Sequence, residues 1–469
     1  MAQKKNDRVI LHCDMNGVYA SVELLTHPEL RDRPMAVSGD PDNRHGIILA
    51  KNQLAKEKGV VTAETIWQAK KKCPDLRLVR PHMEKYRYYC GKINAIYQRF
   101  TDLVEPFSID ESWLDVTASQ SLFGSGKQIA DTIRETVKEE LNMTLSAGVS
   151  FNKIFAKMGS EYKKPDATTV ISRENFREIL WPLAAGELFG VGRATSEKLY
   201  RLGIKTIGDI AASSRDYLTS IFGKTGGLMW DHANGLDESP VARYDSKEPV
   251  KSIGNGITFS RNLVSDSDIS TAVKALSDNV AGRLRKQCLK AYGVKIDIKD
   301  PFFKVISRQT QLYAPTWLAE EIAAAAMDLL RASWKSGSPI RMITVTAINL
   351  TGDVDEEQLS LFGRDEASKK KSEKFEMTMD EVRKKYGNQA IGYASVVKND
   401  MGGAARPVCR LLSFKLSDYR LDILSVYQIG SLGHTGKEQP VVLCDFRFFF
   451  VFQHLFHHVH YHGVHTFYF

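Results

Sequence analysis

Two adjacent carboxylates, Asp110 and Glu111, lie within Phe107-Ser108-Ile109-Asp110-Glu111-Ser112-Trp113-Leu114-Asp115-Val116. The alternating apolar residues read as a β-strand or a tight strand pair with the acids at the bend. Successive strand side chains point to opposite faces, so both acids serve one site only where the backbone turns between them. In a buried setting such a pair is tolerable mainly with a cation between its members. Mg²⁺ is the default, because it takes hard oxygen ligands and leaves positions open for substrate phosphates. The competing reading is a solvated turn ahead of an ordinary strand. A third acid, Asp14, closes the apolar run Val9-Ile10-Leu11-His12-Cys13, which suits a buried strand. It is either a metal ligand at a strand end or the cap of a helix that begins near Asn16.

The surrounding elements must bring these acids together. Strands are expected at 34–39 and 46–50, helices at 51–58, 66–72 and 84–100, then the acidic hairpin, a helix at 126–140 and a strand at 145–149. This order suits an α+β sheet that sets Asp14 beside Asp110 and Glu111. A helix follows from Ser150, and Pro165 stops it with Lys164 at its end, where an ammonium can meet a phosphate or simply face solvent.

At 469 residues the chain holds several domains, and its 43% hydrophobic and 26% charged content is that of a soluble globular protein. A net charge of +8 favours a polyanionic partner without requiring one. Six cysteines, spread without a CxxC pair, exclude a disulfide framework and a zinc ribbon and suit a reducing cytoplasm. The first apolar run ends at Asp14, too early for a signal peptide, and no segment reads as membrane-spanning.

Leu188-Phe189-Gly190-Val191-Gly192, followed by Leu199, Leu202-Gly203-Ile204 and Ile207-Gly208, matches a helix-hairpin-helix. Its Gly-x-Gly turn lets backbone N–H groups of Gly190 and Gly192 approach a DNA phosphate, with plain helix packing as the alternative. No strand precedes it and no third glycine follows, which excludes a dinucleotide fingerprint. Residues 241–250 read as a linker. Beyond it a β-α-β-β-α-β order over 251–350 predicts a small split, ferredoxin-like domain. Lys295, Lys299, Lys304 and Arg308 on its strands would form a basic sheet face for a phosphate backbone, or a solvated face.

Together, Asp14-Met15-Asn16-Gly17-Val18-Tyr19-Ala20-Ser21-Val22-Glu23 and Ser108-Ile109-Asp110-Glu111 resemble the Y-family translesion DNA polymerases, closest to the bacterial DNA polymerase IV (DinB) type. The resemblance continues through Ser150 to Pro165, the Gly190–Gly192 hairpin and Lys251-Ser252-Ile253-Gly254, over roughly residues 8–362. It implies an α+β right-hand architecture: palm and fingers over 1–171, with the fingers at about 20–80, a helical thumb over 172–240 and a little finger over 251–350. It further implies a monomer that acts on primer-template DNA and deoxynucleoside triphosphates with two Mg²⁺ ions. Asp14 and Asp110 would bridge the ions, Glu111 would complete the catalytic-metal site, and the Met15 carbonyl would touch the nucleotide-side metal. Tyr19 falls at the steric gate against a ribose 2′-OH, and Lys164 at a triphosphate contact.

Two positions depart from the family pattern. Asn16 replaces the second acid of Asp-x-Asp and leaves Asp14 intact. Gln53-Leu54-Ala55-Lys56 stands where Tyr-x-x-Arg usually meets the nucleotide phosphates; Lys56 keeps the charge but lacks a guanidinium's bidentate fork. A catalytically weak or silent DNA- and clamp-binding protein on the same fold is therefore the alternative. Gln358-Leu359-Ser360-Leu361-Phe362 resembles the bacterial sliding-clamp-binding pentapeptide, with Leu359, Leu361 and Phe362 as anchors in a flexible segment over 351–399. Within that segment Lys369 to Lys374 reads as a solvated charge run and 381–386 as a short helix. Residues 400–469 match nothing in the family and are expected to be poorly ordered. Within this tail, residues 441–469 carry six of the twelve histidines, His454, His457, His458, His460, His462 and His465, and read as an atypical extension or, alternatively, a metal tract.

Overall fold

All six residues of β1 (Ile10–Met15) are buried, as the apolar run ending in Asp14 requires of a central strand. The computed structural model describes residues 8–40, 46–246, 249–352, 366–388 and 390–393. Contacts divide the chain into two units, Met1–Glu248 and Pro249–Phe469.

In the first unit β1 leads to α1 (Val18–Thr26) and a small sheet in the order β3-β2-β4. That sheet comprises β2 (Met35–Ser38), β3 (Ile48–Lys51) and β4 (Arg77–Val79), with α2 (Gln53–Glu57) and α3 (Ile66–Lys72) between β3 and β4. After α4 (Met83–Tyr97), β5 (Val104–Pro106) and β6 (Glu111–Asp115) form the strand pair expected around the acids. Then follow α5 (Gln120–Phe123), α6 (Gly126–Leu141), β7 (Leu145–Ser150), α7 (Lys153–Tyr162) and β8 (Thr168–Ile171). α6 starts where a Ser125–Gln128 capping box satisfies its first N–H groups.

The central sheet runs β5-β6-β1-β7-β8. One face, with Leu11, Cys13, Met15 and Leu114, packs on Tyr86, Ile93 and Tyr97 of α4 and Ile129 and Ile133 of α6. The other carries Ile10, His12, Asp14, Glu111 and Trp113 beneath α7. Gly148 makes that second contact possible: a Cβ there would fall 1.8 Å from the Ala156 carbonyl oxygen, so helix and strand meet backbone to backbone.

Five further helices, α8 (Phe176–Leu180), α9 (Arg193–Arg201), α10 (Ile207–Ala212), α11 (Arg215–Phe222) and α12 (Lys224–Ala233), share a core around Leu188, Leu199, Ile210 and Leu218. The expected linker begins docked on this unit. Val241 is buried with Ile10 and Trp113, the Ala242 N–H donates to Glu105 at 2.8 Å, and Arg243 pairs with Asp102 at 2.6 Å.

The second unit keeps the expected β-α-β-β-α-β order: β9 (Ser252–Leu263), α13 (Asp266–Lys286), β10 (Leu289–Lys299), β11 (Val305–Thr316), α14 (Ala319–Ser333) and β12 (Ile340–Gly352). The antiparallel sheet runs β11-β10-β12-β9, two interlocked split β-α-β units with α13 and α14 in its core. The charge run Lys369 to Lys374 is a correction: it belongs to one long helix, α15 (Glu366–Tyr386), rather than to a linker with a short helix after it. Arg285 on α13 holds α15 through Glu376 and, at 2.6 Å, Asp380, while Arg383 pairs with Asp278 at 2.8 Å. Glu376 also accepts the Ala319 N–H at 3.0 Å, satisfying a donor at the start of α14. Hence α15 is fastened by buried charge pairs that no hydropathy pattern of its own announces. Gln358, Leu359, Leu361, Phe362 and the 400–469 tail lie outside the described residues. Among the described residues no helix is long and apolar enough to cross a membrane.

Candidate active site

The antiparallel register pairs Asp14 with Glu111 and His12 with Trp113, so alternation puts all four side chains on the face covered by α7. From α7 and the turn after it come Lys157, Ser160, Glu161 and Lys164, spaced three or four residues apart and so on one helical face. Lys164 Nζ lies 2.7 Å from Asp14 Oδ2 and 2.9 Å from Glu161 Oε1. Lys157 pairs with Glu111, over the rings of Phe107 and Phe189.

Ligand oxygens of Asp14, Glu111 and Glu161 all lie within 4.8 Å of one another. Asp14 is 4% exposed, and burial pushes its carboxyl up to about 7 against the pull of Lys164. For Glu111 burial acts upward too, but the hydrogen bonds of His12 and Lys157 and the nearby ammonium outweigh it and hold the acid at about 2. His12 is fully buried and its pKa is lowered, chiefly by burial. The Ser160 hydroxyl donates to the Lys157 carbonyl at 2.7 Å, so it accepts from His12 Nδ1 at 2.8 Å. His12 Nε2 stands 3.4 Å from Glu111 Oε2, and Asp14 Oδ2 faces the Lys164 ammonium at 2.7 Å. Three carboxylates with oxygens this close form a hard-oxygen donor set that fits a divalent cation.

Asp110 is not in this group. Its backbone carbonyl accepts the Met15 N–H at 3.1 Å, but its carboxylate accepts from Ser108 Oγ at 2.7 Å. It lines a crevice with Met15, Cys90, Asn94, Tyr97 and Ser112, on the α4 side of the sheet. The grouped ligand oxygens are thus those of Asp14, Glu111 and Glu161, while Asp110 lies in the bend that precedes β6. Asn16 is built in structurally: its amide donates to Thr144 Oγ1 at 3.1 Å and its carbonyl accepts from Ser146 Oγ at 3.0 Å. A carboxylate could not make the first of these bonds.

Tyr19, on α1, stacks on Tyr86 with ring centroids 4.3 Å apart. The Tyr86 hydroxyl donates to the fully buried Glu23, which also meets His82 Nδ1 at 2.9 Å. Gln53 and Lys56 are exposed on α2, with Gln53 Nε2 donating to Glu57 at 3.1 Å. Gly190 has φ +90° and Gly192 precedes α9, with open space where a Cβ would stand at either.

In the second unit the four basic residues do not share one sheet face. Lys295 and Lys299 alternate with buried Ile296 and Ile298 and face away from the helices. The register sets Arg308 opposite Ile296, so it projects from the other face, exposed only because β11 is an edge strand. Lys304 lies in the turn before β11. Reading residues singly missed Glu161, Lys157 and His12. Helical spacing from Lys153 to Lys164 and the i, i+2 relation of His12 to Asp14 carry that signal.

The fold is a multidomain α+β one with paired strand-borne acids under a lysine-bearing helix, and comparison with known proteins makes its class particular. The impB/mucB/samB family matches residues 13–161 and its C-terminal domain matches 250–361, while a DNA polymerase-iota thumb domain matches 186–237. The chain is 44% identical over 384 residues to a DNA polymerase IV of Acetivibrio thermocellus, covering 82% of this chain and 96% of that protein. It is 36% identical over 392 residues to DNA polymerase IV 2 of Bacillus subtilis, covering 82% and 93%. A solved Y-family DNA polymerase chimera shares the fold with a TM-score of 0.66 at 22% identity, over 74% of this chain and all of that one. The chain belongs to the Y family of DNA polymerases, in its bacterial DNA polymerase IV branch.

Glu161→Gln removes one oxygen charge from the cation group. It is expected to weaken Mn²⁺ binding to the full chain by at least about 10-fold, the scale on which supporting groups act on metal affinity. Electron paramagnetic resonance of free Mn²⁺ measures this, and unchanged affinity would take Glu161 out of the group.

Proposed function

We propose that the chain is a template-directed, error-prone translesion DNA polymerase that extends a primer 3′-OH by two-metal phosphoryl transfer and bypasses damaged template bases. The observation that carries this reading is the register of Asp14 against Glu111 under the lysines of α7, in a chain of the Y family. Asp14, Asp110, Glu111 and the Met15 carbonyl would hold two Mg²⁺ ions. Bound there, the ions would lower the pKa of the primer hydroxyl and offset charge on the leaving pyrophosphate. For Asp110 to take part, its carboxylate must leave Ser108. Lys164, released from Asp14, supplies an ammonium to the triphosphate, and Lys56 adds a second charge near Gln53. Tyr19, braced by Tyr86, presents a ring edge against a ribose 2′-OH.

DNA is held by phosphate contacts from the Gly190–Gly192 turn and from Lys295, Lys299, Lys304 and Arg308. Gln358, Leu359, Leu361 and Phe362 dock a bacterial sliding clamp, and the protein works as a monomer in the cytoplasm.

Primer extension with Mg²⁺ on undamaged and abasic templates tests the reading. Wild type should extend both. Asp14→Asn and Asp110→Ala should each fall to below about a thousandth of that rate, the scale of electrostatic stabilisation in phosphoryl transfer, with primer-template binding retained. A wild-type chain that binds primer-template yet adds no nucleotide would instead establish the silent DNA- and clamp-binding reading that Gln53 and Lys56 motivate. Tyr19→Ala should relax discrimination against ribonucleotides by about 10- to 100-fold, the range of a single steric contact; unchanged sugar selectivity removes Tyr19 as the gate. Leu361→Ala combined with Phe362→Ala should lower clamp affinity by about 10-fold or more while sparing template binding. Equal clamp affinity of the two chains would end the clamp assignment.

A further inference from the structure

The hairpin joining β10 to β11 displays two aromatic rings in a conformation that does not suit them. Asp300 Oδ1 accepts the backbone N–H of Phe302 at 2.8 Å and of Lys304 at 2.9 Å. The Asp300 carbonyl accepts the Phe303 N–H at 3.1 Å, and the Asp300 N–H donates to the Lys304 carbonyl at 3.0 Å. These four bonds hold Phe303 at φ +69°, the left-handed region that favours glycine and penalises a bulky side chain. Phe302 is 88% and Phe303 64% exposed, and neither belongs to the core of the unit. The turn therefore spends backbone strain to present apolar rings to water, a combination that folding alone does not select. Cations flank it: the Arg341 guanidinium stands 4.8 Å from the centre of the Phe303 ring, Lys304 follows in the turn, and Lys299 ends β10.

We infer that Phe302 and Phe303 form a stacking tip for unpaired nucleobases of single-stranded DNA, with Lys299, Lys304 and Arg341 meeting the neighbouring phosphates. This rests on the DNA-polymerase reading and goes beyond it. Lysine–phosphate contact does not distinguish paired from unpaired DNA, whereas an aromatic face does, because bases inside a duplex are already stacked on one another while those of a single strand can unstack onto a ring. A rim of cations around the rings suits a polyanion better than an apolar protein surface.

The test is fluorescence anisotropy of the full chain with a labelled oligothymidylate strand and with a blunt duplex of equal length. The double variant Phe302→Ala, Phe303→Ala should bind the single strand about 10-fold or more weakly, as loss of base stacking requires, with duplex affinity within about 2-fold of wild type. Phe302→Trp with Phe303→Trp should retain single-strand binding, and the strand should quench the new indole fluorescence. Phe303→Gly should raise the melting temperature while weakening single-strand binding, since it relieves the strained turn and removes a ring. Unchanged single-strand affinity of the double alanine variant, or an equal loss on duplex, overturns the inference. So does a loss confined to sliding-clamp affinity, which would make the tip a protein contact. Primer extension by the same wild-type preparation keeps the two readings apart: extension with an inert tip defeats only the stacking inference, and absence of extension defeats the polymerase reading.

Discussion

The backbone contact between α7 and β7 at Gly148 is the constraint from which the active face follows. Gly148 pairs with His12 across the β1–β7 ladder, so the helix presses down one strand away from the acids. At that separation α7 delivers Lys157, Ser160 and Glu161 into reach of Glu111, His12 and Asp14. A side chain at position 148 would lift the helix and leave the carboxylates facing each other without counter-charge. Close packing of backbone on backbone thus becomes an electrostatic device, because buried acids persist only with cations beside them.

The two pairs of that device differ in a useful way. Glu111 is held ionised by Lys157 and His12, whereas burial dominates at Asp14 even with Lys164 at its carboxylate. The site therefore holds one firm anion and one carboxylate whose charge depends on the cation next to it. Lys164 bridges Asp14 and Glu161 as their shared counter-ion. Tyr19 is fixed by quite different means, a chain of contacts from its ring to Tyr86 and on to the buried Glu23.

Much of this was legible in the chain. The run closing at Asp14, the acidic hairpin, the helices at 66–72 and 126–140 and the β-α-β-β-α-β order of the second unit are short-range patterns, and the structure has them within a few residues. Other features were not legible, for reasons that share a cause. α15 reads as a charge run because its partners Arg285 and Asp278 lie about a hundred residues away, and those pairs hold it beside the buried Met379. Arg308 looks like a companion of Lys295, yet one position of register puts it on the opposite face.

By itself, then, the sequence determined the inventory: which residues can bind a cation or a phosphate, which segments alternate or repeat as strands and helices, and the family those motifs resemble. Side-chain chemistry and local periodicity travel with the residues, so they can be read in order. Only the tertiary structure decided the company each residue keeps: Glu161 beside Asp14 and Glu111, Asn16 bound into the β1 to β7 connection, and Phe303 held strained at a hairpin tip. Those outcomes depend on strand register, on the distance at which a helix meets a sheet, and on bonds between residues far apart in the chain, none of which is encoded in any one stretch of it.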